Sequence, residues 1–255
     1  MLLYNLLLFI ATLAGGSAPL WLKGIDERRT NYLLAFSGSF LLSITLLHLV
    51  PETFEDIGHR AGIFVLAGFF LQVLIQRFTH GVEHGHTHIH VDGHVHHIHP
   101  GDHVHHHTIP INSILAGLSV HAFMDGLPLG FNYQVHPNAT EYSLYLAVGA
   151  HKLPEAMLLT SLVWSVKGKQ KALLVLILFS LITPVTAFFA ETLGKQYMTM
   201  SKLVLWLIPI VAGAFIHIAT TIFFESGTKQ HMLTWQKTSA ILLGLAVGLT
   251  TLLLE

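Results

Sequence analysis

Two short stretches of this sequence carry the groups a metal ion needs. His121-Ala-Phe-Met-Asp125-Gly126-Leu-Pro128 and His151-Lys152-Leu-Pro154-Glu155-Ala156 each place a carboxylate four residues after a histidine. On an α-helix, residues four apart lie on one face. Each stretch therefore offers one nitrogen and one oxygen donor at the same depth. If the two faces meet, two imidazoles and two carboxylates surround one point, a shell suited to a divalent first-row metal. The 255-residue chain has no cysteine, so disulfide scaffolds and thiolate metal sites are both excluded.

The elements that must position these residues are apolar. The chain is 52% hydrophobic and only 11% charged, where soluble domains usually carry about 25% charged residues. Its net charge of −1 gives no reason to expect nucleic acid as a partner. A membrane helix needs about 20 mostly apolar residues. Eight segments qualify, at roughly 2–21, 32–52, 60–79, 111–133, 141–165, 172–192, 202–224 and 237–254. The expectation is an all-α polytopic membrane protein, a single domain over 1–255, with one long connection at 80–108.

The first span is read as retained rather than as a signal peptide, because its positive residues, Lys23, Arg28 and Arg29, follow the apolar run. Nine of the 13 Lys and Arg residues fall in the connections after spans one, three, five and seven: Lys23, Arg28, Arg29, Arg77, Lys167, Lys169, Lys171, Lys229 and Lys237. Arg60, Lys195 and Lys202 fall on the other side. Positive charge favours the cytoplasm, so both termini are expected outside and the 80–108 connection inside. Short connections favour a plasma membrane, the bacterial inner membrane in particular, over an organelle membrane.

Two spans carry prolines beside the candidate ligands. Pro128 and Pro154 remove the hydrogen bonds to the Met124 and Ala150 carbonyls, which predicts broken helices lining a polar cavity. A lone buried histidine or acid often does no more than bond a neighbouring helix. Charged groups at membrane depth cost at least ~2.5–3.5 kcal/mol each, so the paired pattern favours a site. Lys152 has two readings: a snorkelling lysine near the membrane edge, or a fixed charge balancing Asp125 and Glu155. His48 and Glu52 at the end of span two, and His217 on span seven, are candidate pathway residues.

The 80–108 connection is dominated by imidazole. Residues 80–107 hold 13 histidines: His80, His84, His86, His88, His90, His94, His96, His97, His99, His103, His105, His106 and His107. With few apolar residues between them the segment cannot bury a core, and such tracts read as weak metal-binding loops. A solvated linker is the plainer alternative.

These residues resemble the ZIP (Zrt-, Irt-like protein) family of divalent metal importers over nearly the whole chain. The resemblance rests on eight spans, outward termini, a histidine-rich loop after the third span and the paired motifs. His121 through Gly126 is similar to the family's fourth-helix pattern His-Asn-x-x-Asp/Glu-Gly, and His151 through Glu155 to its fifth-helix core His-x-x-Pro-Glu. The resemblance implies metal ligands at His121, Asp125, His151 and Glu155, with Zn2+ as substrate and iron or manganese as alternatives. Some members hold two adjacent metals. Ala122, Lys152 and Thr183 stand where those members carry the second site's ligands. A single-metal site follows, with the Lys152 ammonium in the second ion's place.

The resemblance also implies alternating access, no enzymatic activity, and partners limited to the metal ion, the bilayer and a second copy in a homodimer. Protons competing for the ligands make uptake pH-dependent. Two rivals exist. An efflux carrier of the cation diffusion facilitator type usually has six spans and a soluble C-terminal domain, whereas this chain ends directly after a span. An intramembrane metal-dependent hydrolase can use the same donors to activate water, but the His-Glu-x-x-His motif is absent from the sequence.

Overall fold

A computed structural model describes residues 2–21, 27–79, 111–135, 141–196, 198–225 and 234–251. The histidine-rich connection lies outside the described residues, so its expected metal-binding role is untouched by the structure. The described chain is helical and contains no strand: α1 Leu2–Trp21, α2 Glu27–Ile44, α3 Val50–Ile57, α4 Ala61–Thr79, α5 Ile111–Val135, α6 Glu141–Lys167, α7 Lys169–Gln196, α8 Met198–Glu225 and α9 Trp235–Thr251.

Four stretches among the described residues are long and apolar enough to cross a membrane: Leu2–Trp21, Asn31–Arg77, Lys169–Leu193 and Leu205–Ile222. Helices α5 and α6, of 25 and 27 residues, are equally long, but their histidines and charged residues lower their apolarity. Large apolar side chains face outward, including Leu6 and Leu7 on α1, Phe70 on α4, Leu178 and Phe189 on α7 and Leu243 on α9. Ser37, Ser39, Ser43, Thr45, His121 and Asp125 face inward. A largely apolar exterior, with polar side chains turned inward among the apolar core, matches a bilayer solvent. Inward hydroxyls that bond back to their own helix, such as Ser43 Oγ to the Ser39 carbonyl at 2.8 Å, leave fewer polar atoms unsatisfied in lipid.

Two elements differ from the sequence expectation. Span two does not stop at residue 52. A π-turn at Thr45–Leu49 precedes Pro51, and the chain continues as α3 to Ile57 and a 3-10 turn at Gly58–Arg60 before α4. Pro51 cannot donate to a carbonyl one turn back, and widening that turn so that the Val50 N–H reaches the Thr45 carbonyl accommodates it. Gly58, at φ 64°, then supplies the left-handed residue that reverses direction. The α6–α7 connection is also tighter than expected. Gly168 alone separates the helices at φ 83°, its N–H bonding the Trp164 carbonyl at 3.1 Å, a glycine helix terminus.

The helices pack as two sets. One set joins α1, α5, α6 and α7, with α5 lying on α7 and α1 on α6. The other joins α2, α3, α4, α8 and α9, with α4 on α8 and α2 on α9. The tightest approaches occur where a glycine replaces a side chain. Gly68 abuts the Ile210 backbone and Gly213 the Val65 backbone within the second set, while Gly126 and Gly130 abut Thr183 and Ala187 within the first. Small residues let helix backbones approach closely where lipid supplies no hydrophobic drive. One apolar cluster, containing Leu118, Ala156, Leu159, Leu176 and Phe179, lies wholly within the first set.

Candidate metal centre

Helices α5 and α6 bring the two histidine–carboxylate pairs to one point. One donor atom from each of His121, Asp125, His151 and Glu155 can be chosen so that all lie within 4.8 Å of one another, and all four residues are buried. Contrary to the expected breaks, both helices run continuously through Pro128 and Pro154. Four-residue spacing on intact helices therefore aims the side chains, and unwound backbone is not needed.

Three separations describe the cage. His151 Nε2 lies 3.4 Å from Asp125 Oδ2, His121 Nε2 3.6 Å from the same oxygen, and His121 Nε2 3.7 Å from Glu155 Oε1. These are too long for good hydrogen bonds, which close to ~2.7–3.2 Å. Donors held about 2.1 Å from a zinc ion in a tetrahedron lie about 3.4 Å apart. These three separations are close to those of a zinc shell, and the four donors together lie within 4.8 Å. His151 Nε2, Glu155 Oε1 and Asp125 Oδ1 are buried without a hydrogen-bond partner, which is costly unless a ligand takes that role.

One imidazole is oriented from behind. His151 Nδ1 lies 3.1 Å from the Ala147 carbonyl. Donating there fixes the proton on Nδ1 and leaves the Nε2 lone pair facing the centre, the outer bond that metal-ligating histidines usually make. Lys152 Nζ sits 2.8 Å from Asp125 Oδ2 and 3.2 Å from Glu155 Oε2, and 4.5 Å from the centroid of the Phe179 ring. Its side chain is 1% exposed, so the ammonium lies among the carboxylates and not at the membrane edge. Thr183 Oγ1 donates to the Ala122 carbonyl at 2.8 Å, tying α7 to α5 beside the cage.

The remaining candidates lie elsewhere. His48, on the π-turn, bonds Thr251 Oγ1 at 2.7 Å through Nε2. Glu52 is half-buried on α3. His217 Nε2 lies 2.7 Å from Gln76 Oε1, with its ring edge-on to Phe69 at 4.9 Å. None of the three joins the cage. Sequence reasoning missed Phe179, Gln76 and the Ala147 carbonyl. Gln72 and Gln76, four apart in an otherwise apolar span, were the available signal for a polar α4 face. A phenylalanine and a backbone carbonyl gave none.

Fold and site together define a helical membrane protein whose interior holds a cage of nitrogen and oxygen donors that could hold a metal ion. The family model described as ZIP zinc transporter matches residues 1–115 and 110–254, and the chain belongs to that family, whose members are transporters. This places it apart from the cation diffusion facilitators. The chain is also similar to the zinc transporter zipt-7.1 of Caenorhabditis briggsae, at 25% identity over 249 residues that cover 78% of this chain and 63% of the relative. The match thus takes in less than two thirds of that curated protein.

Proposed function

We propose that the chain imports a divalent transition metal into the cytoplasm by alternating access, with zinc as the principal substrate and iron or manganese as others. His121, Asp125, His151 and Glu155 are the ligands of a single ion. In this reading the chain crosses the plasma membrane eight times with both termini outside, as a monomer or homodimer, and the imidazoles of loop 80–108 receive metal on the cytoplasmic face. His48 and Glu52 line the approach, and His217 holds α8 on α4. The observation that carries the reading is four buried donors within 4.8 Å of one another.

The mechanism follows from the donor chemistry. Neutral imidazole and ionised carboxylate take the ion from water on the open side, replacing its hydration shell with the fixed donors. Reopening on the other side returns water to the ion and lets loop imidazoles compete for it. The test is radioactive zinc, iron and manganese flux in sealed vesicles of known orientation, with the His151→Ala variant alongside. Inward zinc flux that His151→Ala reduces by about 100-fold is expected, since losing a ligand costs at least as much as losing its outer partner. A His151→Ala variant that transports as the parent does rejects the ligand set. Hydrolytic activity without flux rejects transport.

A further inference from the structure

We propose that Lys152 is the counter-charge that lets the metal-free carrier return across the membrane, so that it governs net uptake more than metal exchange. The inference rests on the transport reading above. Lys152 can give a metal no lone pair while it is an ammonium, yet it is among the largest fully buried side chains of the described protein. Its Nζ reaches Asp125 and Glu155 at 2.8 and 3.2 Å, through oxygens that both carboxylates turn toward it. Glu155 presents Oε1 to His121 and Oε2 to Lys152, so the ammonium and the ion site share that carboxylate from opposite oxygens. The Phe179 face, 4.5 Å away, offers a second resting place when an ion draws the carboxylates off.

Charge bookkeeping then gives Lys152 a role in the cycle. Two carboxylates and one ammonium leave the empty site with one net negative charge, and a bound divalent ion turns this into one net positive charge. Without the ammonium the empty site carries two negative charges and the loaded site none. The idealised cost of holding charge in a low-dielectric medium rises with the square of that charge. Lys152 therefore makes the loaded and empty forms about equally costly to carry through the membrane. A neutral side chain would favour the loaded crossing and penalise the empty one. Exchange of metal for metal uses loaded crossings only, whereas net uptake needs the empty return. Lys152 and Phe179 lie on α6 and α7 of the same helix set as the cage, so the counter-charge travels with it.

The experiment compares two fluxes of the full chain in liposomes. Radioactive zinc entry is measured into zinc-free vesicles for net uptake, and into vesicles loaded with unlabelled zinc for exchange. For Lys152→Met and Lys152→Gln the ratio of exchange to net uptake is expected to rise by about tenfold, a change of about 1.4 kcal/mol in the relative barriers. The exchange that remains reports a folded carrier with a working site. A ratio within twofold of the parent in both variants overturns the proposal, whether the two fluxes persist or fall together. Absence of both fluxes in the unsubstituted chain, with zinc, iron and manganese alike, rejects the transport reading instead.

Discussion

Gly126→Ala should weaken metal binding although Gly126 offers the metal no ligand. The residue follows Asp125 where α5 crosses α7. A β-carbon there would lie 2.5 Å from the Thr183 carbonyl oxygen, 2.7 Å from Thr186 Cβ and 3.1 Å from the Ala187 nitrogen. Ordinary contact begins near 3.4 Å, so the shortfall against Thr183 is about 0.9 Å. Two of the three obstacles are α7 backbone and cannot rotate aside, so α5 must back away, taking the Asp125 carboxylate with it. His151 and Glu155 stay on α6. The donor spacing between α5 and α6, 3.4 Å from His151 to Asp125, is then disturbed, and one zinc ion no longer meets all four donors at its usual bond lengths. Overpacking of this kind costs about 1–3 kcal/mol, and we expect zinc affinity and uptake to fall by about 10–100-fold. Titration calorimetry on purified protein and radioactive zinc uptake at matched protein density measure both. Gly149→Ala is the control, because its β-carbon would meet only Leu8 Cδ1, at 3.5 Å. A folded Gly126→Ala protein that binds and transports zinc within twofold of the parent refutes the reasoning.

Two further outcomes follow from the same cage. Crystals soaked in cadmium should show one ion among His121, Asp125, His151 and Glu155, with the Lys152 ammonium beside it; two adjacent ions in the anomalous map would defeat the single-metal reading. Protons compete with the metal for imidazole nitrogens and carboxylate oxygens, so uptake should fall on acidification. Proteoliposome uptake that is flat between about pH 5 and 8 would count against these ligands.

Much of the site was legible because its signal is local. The four-residue spacing of His121 to Asp125 and of His151 to Glu155 states which side chains share a helix face, and apolar length states which segments are helices. The sequence does not state how a helix answers a local insult. Prolines inside the spans predict breaks, yet α5 and α6 absorb Pro128 and Pro154 within unbroken helices, while Pro51 sits just after a π-turn. The difference lies in packing around each proline, which is long-range. The surroundings of Lys152 are hidden in the sequence for a similar reason. A lysine can run toward the membrane surface or toward a neighbour, and only the placement of α5 and α7 puts the Asp125 carboxylate and the Phe179 face within its reach.

The distribution of close approaches bears on how such a cage can be carried. Wherever a described glycine lets another helix come near, the nearest atoms belong to its own set: Gly16 meets Leu176 and Ala156, Gly126 and Gly130 meet α7, Gly68 and Gly213 join α4 to α8, and Gly244 and Gly248 join α9 to α2. Between the sets the chain also meets through side chains, such as the Phe215 ring of α8 against the His151 ring of α6 and the shared core that includes Leu41, Val148 and Phe215. Backbone seated in a glycine notch resists sliding, because every shift drives atoms into main chain; side-chain contacts can re-form in a new register. All four proposed ligands, and Lys152, stand on one side of that boundary. If one set were to move past the other, a metal held entirely by α5 and α6 would keep its donor spacing. Ligands split across the boundary would have to release the ion before the helices could move.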